Sequence, residues 1–204
     1  MRRFFIVRHG NTFGPGEVLR RVGARTDIPL VPSGEEQAQA LGAWFAEQGI
    51  SFTRVLSSPL QRTRQTAEAI LAASPASVAL EFVNFLKEID HGPDENASEA
   101  EVIARIGEDA LAAWDRDASA PDGWIIDQEN RIAAWQDFLT RREDGTFLLV
   151  TSNGAARFAL LAMGLGVAST PLRLRTGALG EIVESEDGSL TIVQWDIRPS
   201  VAGY

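Results

Sequence analysis

Two histidines, His9 and His91, are the whole imidazole complement of the chain, and it has no cysteine. Without thiols there are no disulfides, thiolate ligands or cysteine nucleophiles, and two imidazoles are too few for a three-histidine zinc site. The chemistry left to weigh is centred on a histidine. His9 stands in Arg8-His9-Gly10-Asn11-Thr12, directly after the apolar run Phe4 to Val7. An imidazole of ordinary pKa, about 6.5, is mostly neutral at pH 7 and keeps one ring nitrogen free to attack. The adjacent guanidinium can fork onto phosphate oxygens, and Gly10 lets backbone approach a ligand closely. Taken alone the tripeptide says little, because a histidine after a strand more often fills a structural place.

A second constellation adds weight. Ser57-Ser58-Pro59-Leu60-Gln61-Arg62-Thr63-Arg64-Gln65-Thr66-Ala67 reads as a strand end, a turn and a helix opening with Pro59 at its first position, so that Arg62 falls in the first turn. Two arginines at strand ends, together with the free amides of a helix N-terminus, make an anion pocket. Arg64, two residues on, points off that face and suits solvent. The charge balance is 19 Lys+Arg against 28 Asp+Glu, net −9, which argues against nucleic acid as a partner. Arginine nevertheless predominates over acid in residues 1–64 and acid over arginine thereafter, so an anionic ligand is expected at the N-terminal part.

These residues need a scaffold that sets strand ends side by side. Phe4 to Val7 suits a buried parallel strand. A helix is expected from Ser33 as N-cap, with Glu36 closing a capping box and Ala38, Leu41 and Phe45 on one face as far as Gly49. Thr53 to Ser57 reads as a second strand, Ala79 to Phe85 as a third, and Gly92 to Asn96 as a loop. Helical spacing recurs at Val102, Ile106, Ala110 and Ala113, and again at Ile132, Trp135, Phe138 and Leu139, around the breaker-rich Asp115 to Gly123. Phe147 to Thr151 is a fourth strand, followed by a helix through Phe158 to about Leu165. Ala178 to Glu184 and Leu190 to Trp195 make a hairpin about Glu186-Asp187-Gly188-Ser189. Strand and helix alternate, so the class is α/β. At 204 residues, 45% hydrophobic and 23% charged, the chain is expected to be one globular domain, 1–204, with a helical insert at about 93–142. The five tryptophans are expected in core and insert packing.

In order and spacing the motifs resemble the histidine phosphatase superfamily, also called phosphoglycerate mutase-like. The resemblance is carried by Arg8-His9-Gly10, by Arg25-Thr26-Asp27-Ile28-Pro29-Leu30 with Gly34 and Gln37-Ala38, and by Ser57-Ser58-Pro59-Leu60 with Arg62 and Gln65-Thr66-Ala67. It continues through Leu86-Lys87-Glu88-Ile89-Asp90 with Gly92 to Ser152-Asn153-Gly154. It implies a three-layer α/β/α sandwich with a mostly parallel central sheet, a helical insert and a C-terminal β-hairpin. It also implies that His9 is a phosphoryl-accepting nucleophile, Arg8 and Arg62 phosphate clamps, and Glu88 the acid that protonates the leaving group and later helps water attack. The family has a second histidine after the fourth strand, in Ser-His-Gly; here that place is Asn153, which can donate an amide hydrogen bond to phosphate but cannot carry charge. His91, on the Glu88 loop, is a candidate to swing over the pocket, and Asp90 suits a turn. Asn11, Thr12, Arg21 and Arg25 are candidates to bind the rest of the substrate, Arg21 foremost and Arg25 as readily pairing with Asp27, and Thr176 is expected to lie near the rim.

Three functions fit this reading. The first is a phosphomonoester hydrolase acting through a phosphohistidine on a small phosphorylated metabolite. The second is a phosphoglycerate mutase-type phosphotransferase, and the third a catalytically impaired phosphate-ligand binding protein. No cofactor and no metal is expected, since arginines take the part of cations. No membrane partner is expected either: the apolar run after the basic start is four residues long, short of a signal peptide, and nothing approaches a membrane span. A cytoplasmic location is expected. The sequence does not fix an oligomeric state.

Overall fold

The computed structural model describes residues 1–164 and 170–199. Phe4-Phe5-Ile6-Val7 forms the middle of β1 (Arg2–Arg8), and all four side chains are buried. Consecutive residues of a strand are buried together only when both faces of the sheet are covered. β1 meets that condition at the sheet centre, parallel to β4 (Gly145–Thr151) on one side and antiparallel to β5 (Leu179–Glu184) on the other. With β2 (Arg54–Ser57), β3 (Leu80–Phe82) and β6 (Leu190–Ile197) the order is β3-β2-β4-β1-β5-β6. The first four strands in that order run parallel; β5 and β6 turn back as the expected hairpin.

Side-chain alternation sorts the helices into two layers. Phe5 and Val7 pack with Leu41 and Phe45 of α1 (Pro32–Glu47) and with Ala67 and Ile70 of α2 (Gln61–Ala72). Phe4 and Ile6 face the other way, into a cluster with Trp114 of α4 (Glu108–Asp117), Trp135 and Phe138 of α5 (Gln128–Thr140) and Phe158 of α6 (Asn153–Ala162). The strand register sets Phe4 beside Phe147, their rings stacked at 5.1 Å, while Phe5 meets Phe45 edge-on at 5.1 Å. Full burial of each such ring is worth about 1.5–3 kcal/mol. All five tryptophans follow the expectation: Trp114, Trp124 and Trp135 are buried in the Phe4 cluster, and Trp195 packs against it half-buried. Trp44 packs against the opposite one.

Several boundaries differ from expectation for identifiable reasons. α1 starts at Pro32, without a side-chain cap, because proline fixes the first helical φ one residue earlier; Ser33 instead accepts a hydrogen bond from Asn11 Nδ2 at 3.3 Å. α2 starts at Gln61 rather than Pro59, with Ser58 Oγ accepting the Leu60 N–H at 3.3 Å in the turn before it. The third strand stops at Phe82: the Val83 N–H still reaches Ser57 O at 2.9 Å, and the chain then coils into a 3₁₀ turn, Asn84–Leu86. A second 3₁₀ turn, Gly92–Asp94, occupies the expected loop. α6 ends at Ala162; its expected end at Leu165 lies outside the described residues.

Between β3 and β4 the chain forms α3 (Glu99–Ile106), α4 and α5 over the Phe4 face. The Ser98 and Glu101 side chains make a reciprocal capping box at α3, and Gly107, at φ +80°, separates α3 from α4. Asp94 ties these helices to the Glu88 loop: it accepts from Arg105 Nε at 2.6 Å and from Trp124 Nε1 at 2.7 Å. Among the described residues no helix is long and apolar enough to cross a membrane.

Candidate active site

Register brings the motifs to one edge. Arg8 pairs with Thr151 and Ser57 with Val150, so Arg8-His9, Ser58 and Ser152-Asn153 all leave the sheet at the carboxyl ends of β1, β2 and β4. In parallel α/β sheets that edge is where ligands bind. A cavity of about 440 Å³ opens there, and His9, Arg8, Glu88 and Asn153 all line it.

His9 is 5% exposed, and its Nδ1 lies 2.7 Å from Gly10 O. A carbonyl only accepts, so Nδ1 carries the hydrogen and Nε2 keeps its lone pair. Burial, and then the positive charges of Arg62 and Arg8, hold the imidazole well below its ordinary pKa, which keeps it neutral. Gly10 has a structural role at the site: a Cβ there would sit 2.2 Å from Gly34 O, so the missing side chain lets the His9 turn close onto the start of α1.

The two arginines flank His9 in different ways. Arg8 donates to Leu174 O at 2.8 Å, and burial pulls its pKa down to about 10, so it remains a cation at neutral pH. Arg62 is fully buried; it donates to Thr26 O at 2.8 Å and to Gly23 O at 3.1 Å, and does not itself line the cavity. In both, Nε is a buried donor without a partner among the described residues.

Glu88 is buried and receives two backbone donors, Ile89 N–H at 2.8 Å on Oε1 and Gly154 N–H at 3.1 Å on Oε2. The second comes from the first turn of α6, where backbone amides favour anionic oxygen. A Cβ on Gly154 would lie 2.2 Å from Glu88 Oε1, so this contact requires glycine. Asn153, at the first position of α6, accepts the Leu174 N–H on Oδ1 at 2.9 Å, and its Nδ2 hydrogens have no partner among the described residues.

The remaining expected residues divide. Thr12, Arg21 and Thr176 line the cavity. Asn11 lines it too, but its amide is used as a tie, accepting from Thr176 Oγ1 at 2.6 Å and donating to Ser33. Arg21 donates to Glu99 Oε2 at 2.7 Å and lies over the Trp124 ring at 5.8 Å. Arg25 and Asp27 do not pair: Arg25 binds Asp90 at 2.9 Å, while Asp27 accepts the Gln61 N–H at 2.7 Å. Asp90 also accepts the Gly92 N–H at 2.8 Å, the turn role expected of it. His91 lines the cavity without any swing, buried edge-on to Trp124 with Nδ1 3.5 Å from Glu95.

Sequence reasoning missed four arginines. Arg20, Arg173, Arg175 and Arg198 also line the cavity, so the cationic wall is not confined to the N-terminal part. Regional charge totals hid the last three because they were summed with the acidic excess of all residues after 64, although no acid lies between Asp144 and Glu181.

Residues 4–198 match the family described as the histidine phosphatase superfamily (branch 1). The chain belongs to the histidine phosphatase superfamily. It is 31% identical over 192 residues to a Salmonella arizonae protein named "Probable phosphoglycerate mutase GpmB", covering 89% of this chain and 85% of that one. A Citrobacter koseri protein of the same name is 31% identical over 197 residues, with the same coverage. Among solved structures, a mycobacterial glucosyl-3-phosphoglycerate phosphatase superposes with a TM-score of 0.80 at 22% identity, over 97% of this chain and 100% of that one. Phosphoserine phosphatase from Entamoeba histolytica, in complex with 3-phosphoglyceric acid, gives 0.73 at 19%, over 96% of each chain. These two likenesses speak to the fold, and the fold is the one the motifs implied.

Proposed function

We propose that this histidine phosphatase superfamily member is a phosphomonoester hydrolase that works through a phosphohistidine at His9. The observation that carries the reading is the hydrogen bond from His9 Nδ1 to Gly10 O, which leaves Nε2 as a buried, neutral nucleophile facing the cavity. Nε2 attacks phosphorus as the ester P–O bond breaks, and Glu88, entering as the acid, gives its proton to the departing alkoxide. Water then attacks the phosphohistidine while the Glu88 carboxylate takes the water's proton, and His9 and inorganic phosphate are released. The unpartnered Nε donors of Arg8 and Arg62, with Asn153 Nδ2, supply hydrogen bonds to the transferring oxygens.

A phosphotransferase reading draws on the name of the Salmonella and Citrobacter relatives. Turnover of p-nitrophenyl phosphate and a panel of small phosphomonoesters, with release of inorganic phosphate, is the expected result and the test. Return of the phosphoryl group to a phosphoglycerate acceptor instead of water would favour the transferase. Absence of both turnover and a phosphoenzyme would leave a binding protein.

Two variants test the supporting contacts. Arg62→Ala is expected to weaken inhibition by inorganic phosphate by about 1.5–3 kcal/mol, the scale of a charge-assisted hydrogen bond. It should also lower thermal stability, because the Thr26 and Gly23 carbonyls lose a buried donor. Unchanged phosphate affinity removes Arg62 from the pocket assignment. Gly154→Ala is expected to cost about 1–3 kcal/mol of stability, as overpacking does, and to lower kcat by displacing Glu88. Full activity in that variant would show that the Glu88 position does not matter.

A further inference from the structure

The chain carries net charge −9, yet six arginines and a single carboxylate, Glu88, line its main cavity. Arg8 belongs with His9. Three of the others, Arg173, Arg175 and Arg198, come from the strap before β5 and from the end of β6, far in sequence from the phosphoryl-transfer residues.

The strap is fastened to the nucleophile. Gly177 N–H reaches His9 O at 3.1 Å, and Thr176 Oγ1 donates to Asn11 Oδ1 at 2.6 Å. Arg198 in turn donates to Thr176 O at 2.8 Å and to Thr176 Oγ1 at 3.0 Å. Arg175 is fixed from three directions by Asp196: Oδ1 accepts its backbone N–H at 2.6 Å, Oδ2 its Nε at 2.6 Å, and the Asp196 carbonyl its NH2 at 2.8 Å. Asp196 holds this position at φ +59°, a backbone state that a non-glycine residue adopts at a cost. Trp195 Nε1 donates to Arg173 O at 3.0 Å, and the Arg173 side chain has no acidic partner among the described residues.

Of the three guanidinium groups only Arg175 has a carboxylate partner among the described residues, Asp196. Burial and then the like charge of Arg175 lower the Arg198 pKa; Asp196 opposes the fall and Arg173 adds to it. Planar forks in this arrangement match carboxylate or phosphate oxygens.

We propose that Arg173, Arg175 and Arg198 form a second anion subsite that selects phosphomonoesters bearing a further carboxylate or phosphate. The proposal rests on the reading of the His9 pocket as a phosphoester site and adds to it which esters are preferred.

The test uses two matched pairs of probes. 3-Phosphoglycerate and glycerol 3-phosphate differ by a carboxylate against a hydroxymethyl group; fructose 1,6-bisphosphate and fructose 6-phosphate differ by a second phosphate. The wild-type protein is expected to favour the more anionic member of at least one pair by tenfold or more in kcat/KM, and the pair that responds identifies the second anion. Arg173→Gln should reduce that preference threefold or more, and Arg173→Gln with Arg198→Gln tenfold or more. Arg175 is left in place because its Asp196 contacts hold the strap. A wild type indifferent within both pairs, or a preference that survives in both variants, overturns the proposal. A uniform fall for both members leaves the ratio unchanged and overturns it equally. If none of the esters turns over, hydrolase function fails, and the same ratios in equilibrium Kd for the same probes decide the subsite.

Discussion

His9→Ala is expected to lose phosphoenzyme formation entirely and to reduce kcat/KM by about 10⁴-fold or more, the scale on which loss of a covalent nucleophile is felt. Labelled phosphoester, quenched in alkali, should leave an acid-labile phosphoprotein in the wild type and none in the variant; equal labelling would discard the mechanism. The same residue gives a pH signature. Because burial and two arginines hold the folded-state pKa of His9 well below about 6.5, the unfolded chain binds a proton that the folded chain refuses. Stability linked to His9 is therefore fully present above about pH 6.5 and declines as pH falls from there toward the folded-state pKa. His9→Ala should flatten the dependence of unfolding free energy on pH in that window, measured by urea denaturation. An unchanged slope would mean that His9 titrates normally in the fold.

How much of this was legible in the sequence depends on the range of the interactions. β1 declared itself because four consecutive apolar residues followed by Arg8-His9 admit only a strand buried on both faces. The start of α1 was misjudged by one residue because Pro32 and Ser33 compete for the helix opening, and the hydroxyl that reads as a cap is taken by Asn11, 22 residues away. Ser98 and Glu101 carried a true capping box in plain sequence, and it went unread because the surrounding stretch looked like loop.

The site divides along the same line. His9, Arg8 and Glu88 sit next to strand ends or within one loop, so order and spacing point to them. The Arg25 pairing with Asp90 spans 65 residues, and neither of the places the sequence left open for Arg25, facing substrate or paired with Asp27, pointed to it. Arg173, Arg175 and Arg198 reach the cavity only because β5 reverses direction beside β1 and Gly177 binds the His9 carbonyl. No regional charge count contains that fact. Gly10 shows the converse: its residue type was informative, but its close neighbour Gly34 O lies 24 residues away and no local pattern announces it.

Asn153 is where local chemistry and context most clearly diverge, and Asn153→Asp is expected to lower kcat/KM by about 10²–10³-fold, the cost of losing one preorganised donor. The substitution is nearly isosteric. Its carboxylate still accepts the Leu174 N–H, so the strap should stay in place and the thermal midpoint should change little. What disappears is the Nδ2 donor, and what arrives is a negative charge beside the transferring phosphoryl group. Asn153→His separates charge from donation. From sequence alone an imidazole there would add a cation and raise activity. In the fold, the Leu174 N–H requires an acceptor, and an imidazole that keeps this bond must present a bare nitrogen to it, which makes it neutral. Asn153→His is therefore expected to hold activity within about fivefold of wild type, since a neutral donor replaces a neutral donor. A tenfold gain that appears only at acidic pH would show the ring turned away from Leu174 and charged. Wild-type activity in Asn153→Asp would show that no hydrogen bond from this position reaches the reacting group.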